Sequence, residues 1–380
     1  MNNFKFNGVG QGLFYAGTLF NGMFNFVFDC GTSNKKSYID GHINEYIQEI
    51  THSKDKPHIH LVVISHLHKD HFSGLLELAK HAVIDKIYLP YLGENKDFIK
   101  FALAYSIFYN LDIDEDNYMD SLLLYAYMLR LYQIEDDLYG EVSLNIAMPE
   151  QIKFCKSTDI NNVKFGIGEV DVIRIDKLWQ FEIYYRFFNN DVIDDLKSRI
   201  GKLVDNFNSF TLINFIRNSK DAIEKIAKCY EAVFGKANHH KLEGGVNISS
   251  AVMIHYPIYF GAYALVHKSN DDKSDFFTGS VVTVLTGDAK DFKLYPNLVE
   301  SIKSRHVLFF QVPHHGSKDN WDSIKRDGIH KCDIDFFVIP FGLGNSYGHP
   351  NVNTLDYLVQ NKKMFYNITQ LSSLEYKILG

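Results

Sequence analysis

Residues 59–71 have the sequence Ile-His-Leu-Val-Val-Ile-Ser-His-Leu-His-Lys-Asp-His, and this stretch decides the fold and chemistry of the chain. Its first six residues form a mostly apolar run that is typical of a buried strand. His66, His68, Asp70 and His71 then follow within six residues. Imidazole and carboxylate groups are ligands that suit zinc, manganese or iron. The stretch therefore predicts a metal site in the loop that follows the strand.

Composition and charge define the broad class of protein. The chain has 380 residues, of which 46% are hydrophobic and 22% charged, as in a soluble globular protein with one large domain or two smaller ones. Its formal net charge of −7 gives no overall positive field, so a nucleic-acid partner would need a local positive groove. Four cysteines without a CxxC pair favour free thiols in a reducing compartment. Since the chain shows no apolar signal core and no membrane-length apolar run, we expect a cytoplasmic protein without a membrane partner.

The first ninety residues alternate between strand and helix patterns. Residues 13–20 and 23–29 are β-rich runs joined by Asn21-Gly22, the strongest two-residue hairpin signal. A helix pattern at residues 38–50 comes next, followed by the strand before the histidines at residues 59–64. A second helix pattern at residues 73–80 and a short strand at residues 86–90 complete this part. This alternation predicts a layered α/β fold.

The middle of the chain has a different character. Residues 98–110, 118–132 and 191–235 have helix-like patterns. Residues 179–188 have a strand-like pattern. The helical segments are rich in aromatic side chains, which predicts packing rather than a ligand site. We predict that residues 92–240 form a mostly helical insertion, packed on a core made of residues 1–91 and 241–380.

Strand patterns return in the last third of the chain, at residues 249–256, 280–285, 306–312 and 336–340. Three of these strands are followed by loops that carry Asp288, the pair His314-His315, and His349. Together with the strand before His66, this makes four apolar strands that are each followed by an aspartate or a histidine. Because such ends can lie along one edge of a sheet, we predict that they build a single site.

The spacing within the first loop indicates how its side chains divide between two metal ions. His66 and His68 are two residues apart, so in an extended chain they point toward the same ion. Asp70 and His71 come next and can turn toward a second ion. A pair of divalent ions can share one hydroxide and hold both the attacking and the leaving oxygen of a phosphoester.

The remaining strand ends supply the other groups that such a site needs. Asp288 is the natural bridging carboxylate, because the glycine before it permits a tight turn at the strand end. His349 can complete the coordination of the second ion. Asp29, which also stands at a strand end, can orient a ligating imidazole through a hydrogen bond.

The motifs together resemble a known family. Residues 66–71 form the HxHxDH signature of the metallo-β-lactamase superfamily. The order of the other motifs is similar to that in the metallo-hydrolase domain of ComEC-type competence DNA-uptake proteins and their stand-alone relatives. These motifs are Gly8-Val9-Gly10-Gln11-Gly12, Asp29-Cys30-Gly31, Asn247-Ile248-Ser249-Ser250, Leu285-Thr286-Gly287-Asp288-Ala289, Val312-Pro313-His314-His315-Gly316-Ser317 and Tyr347-Gly348-His349-Pro350. The resemblance covers about residues 4–90 and 245–360.

The resemblance implies an αββα sandwich with a dinuclear site at the edge of two sheets. It also implies a metal-dependent phosphodiesterase or nuclease that uses two divalent ions, zinc or manganese, and a metal-bound hydroxide. The implied ligands are His66 and His68 for one ion, Asp70, His71 and His349 for the other, and Asp288 as the bridge. His315, with His314 as the second choice, would stabilise the phosphate or protonate the leaving group.

The chain departs from the family pattern at two positions. Many superfamily members have a third-motif histidine, whereas this chain has Asn247 in the corresponding segment. Asn247 could take that place, or one of the nearby histidines His239, His240 and His255 could do so. The ComEC-type motif Gly-Gln-Gly-Asp is also replaced by residues 10–13, Gly-Gln-Gly-Leu, which removes a carboxylate near the site.

Two other functions remain open from the sequence. The same metal centre could hydrolyse a small ester, lactone or thioester, which the negative net charge favours. Alternatively, the insertion could bind a protein partner that gates the site, as in a multi-protein defence system. For the leading hypothesis the expected substrate is nucleic acid or a small phosphodiester.

Overall fold

The fold is known from a computed structural model. The structure describes residues 1–90, 96–108, 115–136, 151–154, 170–185, 195, 198–199, 201–203, 209–218, 225, 229, 250–259, 261–268, 274–278, 281–295 and 297–379. Within these residues the strands form two large sheets, with helices outside each sheet.

Nine of the described strands form the first sheet, in the order β13-β12-β18-β1-β2-β3-β5-β7-β8. Their bounds are β1 Asn2–Phe6, β2 Phe14–Leu19, β3 Phe24–Cys30, β5 Leu61–Val63, β7 Lys86–Leu89, β8 Gln151–Phe154, β12 Tyr263–Lys268, β13 Ser274–Thr278 and β18 Leu374–Leu379. β2 and β3 form the antiparallel hairpin that the sequence predicts, and β3 pairs in parallel with β5. Two short strands, β4 His58–Ile59 and β6 Val83–Ile84, pair beside this sheet.

Seven of the described strands form the second sheet, in the order β17-β16-β15-β14-β11-β10-β9. Their bounds are β9 Val170–Ile175, β10 Trp179–Tyr184, β11 Val252–Pro257, β14 Val282–Leu285, β15 Val307–Gln311, β16 Ile334–Pro340 and β17 Met364–Ile368. The four strands β14 to β17 run parallel to one another. Their carboxyl ends therefore meet at one edge, where the candidate site lies.

The described helices cover the outer faces of the two sheets. They are α1 Lys36–Ile50, α2 Lys69–Phe72, α3 Leu75–His81, α4 Lys96–Phe108, α5 Glu115–Leu131, α6 Ser209–Asn218, α7 Leu298–Lys303, α8 Lys318–Arg326 and α9 Val352–Gln360. Three 3₁₀ helices span Phe292–Leu294, His314–Gly316 and Ile329–Lys331. None of these helices combines the length and the hydrophobicity of a membrane span.

The alternation of side chains along the strands explains why the fold has four layers, which are helices, the first sheet, the second sheet and helices. On β3, Val27 packs in the core that the first sheet shares with its helices, while its neighbours Phe26 and Phe28 pack between the two sheets. On β15, Phe309 likewise faces the core between the sheets, and Phe310 faces the helices of the second sheet. Since successive side chains of a strand point to opposite faces, each sheet joins two cores. The fold is therefore the predicted αββα sandwich.

The middle region contributes both helices and strands. The predicted helices 98–110 and 118–132 are α4 and α5, and α6 lies within the predicted helical stretch 191–235, most of which is outside the described residues. The strand predicted at 179–188 is β10, which pairs with β11 and so extends the second sheet. The division into a core and an insertion at residues 92–240 stays a prediction.

Candidate metal centre

The candidate site is built where parallel strands of both sheets end. Asp29 lies at the end of β3, and the histidine-rich segment of residues 65–71 follows β5 as a loop that runs into α2 at Lys69. From the second sheet, Asp288 follows β14 and His315 follows β15. The described residues thus bring the ends of β3, β5, β14 and β15 together, while the place of His349 in the same site stays a prediction.

Six side chains at this edge form two groups that could each hold a metal ion. The groups are His66, His68 and Asp288, and Asp70, His71 and His315. Within each group the candidate ligand atoms lie within 4.8 Å of one another. One carboxylate connects the groups, because Asp288 Oδ2 is 3.5 Å from His66 Nε2 and Asp288 Oδ1 is 3.2 Å from His71 Nε2.

The carboxylate of Asp29 and the hydroxyl of Ser65 orient two of the imidazoles. The Ser65 N–H and hydroxyl donate to Asp29 at 2.6 and 2.7 Å. Asp29 Oδ2 is also 2.7 Å from His71 Nδ1, and Ser65 Oγ is 3.0 Å from His66 Nδ1. Since the Ser65 proton is committed to Asp29, His66 donates its Nδ1–H to Ser65. In the neutral form of each ring, the Nε2 lone pair then faces the site.

His315 is oriented in the same way by the second sheet. Its Nδ1–H donates to the Pro340 carbonyl oxygen at 2.8 Å, since a carbonyl can only accept. Its Nε2 then faces Asp70 Oδ2 at 2.9 Å. A neutral imidazole in this tautomer brings a lone pair against a carboxylate oxygen. The contact is stable only with a positive charge between the two atoms, which can be a proton or a metal ion.

Burial and the local charges set the protonation of the histidines. Burial lowers the pKa of His66 to about 3 and that of His68 to about 4, so both are neutral near pH 7. Burial also opposes protonation of His71 and His315, but the surrounding aspartates raise the pKa of both above the ordinary histidine value. The carboxylates of the site thus favour a positive charge next to them, either a proton on His71 or His315 or a metal ion.

The donor chemistry of this site fits a divalent metal. The buried Nε2 atoms of His66 and His71 make no hydrogen bond. An unsatisfied buried nitrogen is costly unless another interaction replaces the hydrogen bond, and metal coordination is such an interaction. Nitrogen and carboxylate donors in this mixture suit zinc and other first-row divalent ions.

Three supporting residues belong to no motif in the sequence: Ser65, Gln311 and Asn320. The Gln311 side chain accepts from the Thr286 N–H at 2.7 Å and donates to the Gly287 carbonyl at 3.1 Å. Asn320 donates at 3.0 Å to the Asp288 carbonyl. A glutamine at the end of the apolar run 307–311 is the one signal in the sequence that could have identified such an anchor.

Backbone geometry explains the glycine that precedes Asp288. Gly287 has a φ of +52°, and a Cβ atom at this position would lie 2.4 Å from Ser65 Oγ. The missing side chain therefore lets the β14 loop approach the loop after β5. This close approach brings Asp288 against His66 and His71.

The other predicted site residues lie around the two groups. The imidazole of His314 is partly exposed, with Nε2 3.7 Å from Asp288 Oδ2 and Nδ1 3.2 Å from Asn320 Oδ1. The ring of His349 lies 5.3 Å from that of His314 and 6.5 Å from that of His315, and His349 belongs to neither group of candidate ligands among the described residues. Its predicted role as a ligand of the second ion stays a prediction.

Of the four candidates for the third-motif place, only His255 lies among the described residues. His255 lies in the core between the sheets, where its Nε2 is 2.8 Å from the Tyr15 hydroxyl, and so it does not take the third-motif place. Asn247, His239 and His240 lie outside the described residues.

The αββα sandwich and the histidine–aspartate groups at its edge define a metallo-β-lactamase type of fold. Residues 14–103 match the family model described as the metallo-beta-lactamase superfamily. This segment contains the whole histidine-rich segment of residues 65–71, and members of that superfamily are generally metal-dependent hydrolases. The match does not extend to the ComEC-type branch, which stays a prediction.

Two solved structures are similar to the chain. One is Zn(2+)-bound PqqB from Methylobacterium extorquens, with 7% identity, a TM-score of 0.41 and all of both chains covered. The other is MEM-A1, a subclass B3 metallo-beta-lactamase isolated from a soil metagenome library, with 11% identity, a TM-score of 0.28, and 94% of this chain and 84% of that chain covered. No curated protein matches the sequence.

Proposed function

We propose that the protein is a metal-dependent phosphodiesterase that works with two divalent ions. The observation that carries this proposal is the position of Asp288, which directs one carboxylate oxygen toward each group of ligands, at 3.5 Å from His66 and 3.2 Å from His71. A carboxylate shared in this way suits a pair of ions that acts on both the attacking and the leaving oxygen of a phosphodiester.

The chain offers two groups of three candidate ligands. His66, His68 and Asp288 would hold one ion, and Asp70, His71 and His315 the other, with Asp288 as a fourth ligand shared with the second position. Zinc or manganese bound there would supply Lewis acidity and lower the pKa of a bound water. In this arrangement His315 takes the place that the sequence alone gives to His349.

His314 is then the better candidate for an acid that acts on the substrate. Its side chain retains 19% exposure, whereas that of His315 retains 2%. The Nδ1–H of His314 donates to Asn320 Oδ1, which fixes the ring and leaves Nε2 directed toward Asp288. In its protonated form His314 could hydrogen-bond a phosphoryl oxygen or give its proton to the leaving oxygen.

Metal-loaded protein tests this function on bis(p-nitrophenyl) phosphate and on single-stranded DNA and RNA, with manganese and with zinc. We expect turnover by the wild type and at least a 100-fold loss in Asp288→Asn, which removes the shared negative charge. Asp335→Asn is the matched control, because Asp335 pairs with His306 at 3.0 Å on the partly exposed surface. Full turnover by Asp288→Asn, or no turnover of any phosphodiester by metal-loaded wild type, contradicts the proposal.

Hydrolysis of a small ester, lactone or thioester is the second candidate function. The net charge of −7 favours it, because an acidic protein repels a polyanionic substrate. Lactone turnover by the same metal-loaded protein, without phosphodiester turnover, would decide for this alternative.

A further inference from the structure

A series of stacked rings leads from the metal centre to the protein surface. The rings of His315 and His349 are 6.5 Å apart at an interplanar angle of 27°, and those of His349 and Tyr347 are 6.2 Å apart at 19°. Exposure rises along the series, from His315, which is buried, to Tyr347, which is 53% exposed. The series thus ends in Tyr347, an exposed aromatic side chain beside the site.

The loop that carries Tyr347 is held by one side chain. The Asn345 amide donates to the carbonyl oxygens of Gly342 at 2.7 Å and His349 at 2.6 Å. Its oxygen accepts from the N–H groups of Tyr347 and His349, both at 3.1 Å. These four hydrogen bonds fix the backbone on both sides of Tyr347, so the exposed ring is positioned before any ligand binds.

The loop is also tied to the neighbouring turn between β17 and β18. The Gln370 amide accepts from the Leu343 N–H at 2.9 Å and donates to the Leu343 carbonyl at 3.3 Å. Tyr347 is thus an exposed aromatic ring on an anchored loop. Such rings are used in nucleic-acid-binding proteins as surfaces on which single bases stack.

We propose that Tyr347 binds the base of a nucleotide whose phosphodiester lies at the metal centre. The inference rests on the proposed function and adds a substrate class to it: single-stranded nucleic acid or a nucleotide ester, rather than a phosphodiester without a base. Stacking on a ring does not depend on base identity, so Tyr347 selects for a base without selecting for a sequence. Tyr347 is therefore a specificity-determining residue.

Equilibrium binding to the metal-loaded protein tests the base contact directly. We expect Tyr347→Ala to weaken the binding of thymidine 5′-monophosphate by about 5- to 100-fold, as calorimetry would measure, and to leave the binding of methyl phosphate unchanged. Tyr347→Phe keeps the ring and should bind thymidine 5′-monophosphate within about 2-fold of wild type. Val359→Ala is the control, because Val359 is 62% exposed on α9 and lies outside the ring series.

The steady-state kinetics of two substrates separate this inference from the function on which it rests. Tyr347→Ala should raise KM for the p-nitrophenyl ester of thymidine 5′-monophosphate and leave the KM for methyl p-nitrophenyl phosphate unchanged. If the wild type cleaves neither ester, the proposed function is wrong. If it cleaves both and Tyr347→Ala changes neither KM nor nucleotide binding, the stacking role is wrong and the phosphodiesterase stands.

Discussion

Asp29 Oδ2 lies 2.7 Å from His71 Nδ1, and both residues are fully buried at the candidate metal centre. Asp29 has a left-handed backbone conformation, with a φ of +53°, which turns its carboxylate toward the loop after β5. Burial raises the pKa of Asp29, and the hydrogen bonds from His71 and Ser65 oppose that rise. One carboxylate thus orients His71 directly and His66 through Ser65, so its charge supports both ligand groups.

Loss of that charge should weaken metal binding without removing a ligand. We expect Asp29→Asn to lower the affinity for zinc or manganese by about 10- to 100-fold, because the amide no longer stabilises the imidazole orientation as an anion does. Competition with a chelating dye measures the affinity. Asp85→Asn is the matched control, since Asp85 contacts His58 Nδ1 at the same 2.7 Å but on the surface. Equal affinities in wild type and Asp29→Asn would show that the contact is only structural.

The number of bound ions should distinguish the two histidines proposed for the second position. His315→Ala removes a ligand from the group that contains Asp70 and His71. We expect this variant to bind one ion per chain instead of two, as elemental analysis would measure. His349→Ala should retain both ions. The opposite pattern would return the ligand role to His349, as the sequence predicts.

The convergence of the strand ends could be predicted from the sequence because it follows from simple periodicity. The apolar run before His66 and the Thr-Gly-Asp turn at Asp288 each mark the end of a buried strand. Parallel neighbours bring such ends together within one sheet, but β5 and β14 lie in different sheets, so their ends meet only because the two sheets also pack against each other. The sequence predicts the place of Asp29 in the same way, since it is a carboxylate at the end of the β3 hairpin strand.

The roles of His314 and His315 could not be predicted from the sequence. Both residues and Gly316 have left-handed backbone conformations, with φ values of +50°, +53° and +77°. This reversal, rather than strand alternation, decides which imidazole turns inward to Asp70. The strand β18 could not be predicted from the sequence either, because it is defined by long-range pairing with β1 and β12.

The buried imidazole of His255 should make the protein sensitive to acid. Burial lowers the pKa of His255 to about 3 from an ordinary 6.5, so the folded protein keeps it neutral while the unfolded chain takes up a proton below pH 6.5. The free energy of unfolding should therefore fall by about 1 kcal/mol per pH unit between pH 6 and 4 from this residue alone. Urea unfolding with a chelator present measures the slope.

His255→Phe should show a shallower loss of stability between pH 7 and pH 5 than wild type. The slope is the informative quantity, because the substitution also removes the contact with the Tyr15 hydroxyl at 2.8 Å and changes stability at every pH. His52→Gln is the control, since His52 is exposed. Parallel slopes in wild type and His255→Phe would be evidence against this assignment.

Gln311 should link the stability of the fold to the geometry of the metal centre. Its side chain is 1% exposed, accepts from Thr286 and donates to the carbonyls of Gly287 and Val312. Gln311→Leu keeps the approximate size but leaves those buried backbone groups unsatisfied. We expect the free energy of unfolding to fall by about 2–4 kcal/mol, as urea unfolding would measure.

The same substitution should reduce metal affinity, because the Thr286-Gly287 turn places Asp288 between His66 and His71. Gln360→Leu is the matched control: Gln360 is exposed at the end of α9, and its amide donates to Asp356 at 2.7 Å. It should change the free energy of unfolding by less than about 0.5 kcal/mol and leave the metal affinity unchanged. If Gln311→Leu lost stability but bound both ions with wild-type affinity, the turn would hold the sheet edge together without positioning the bridging carboxylate.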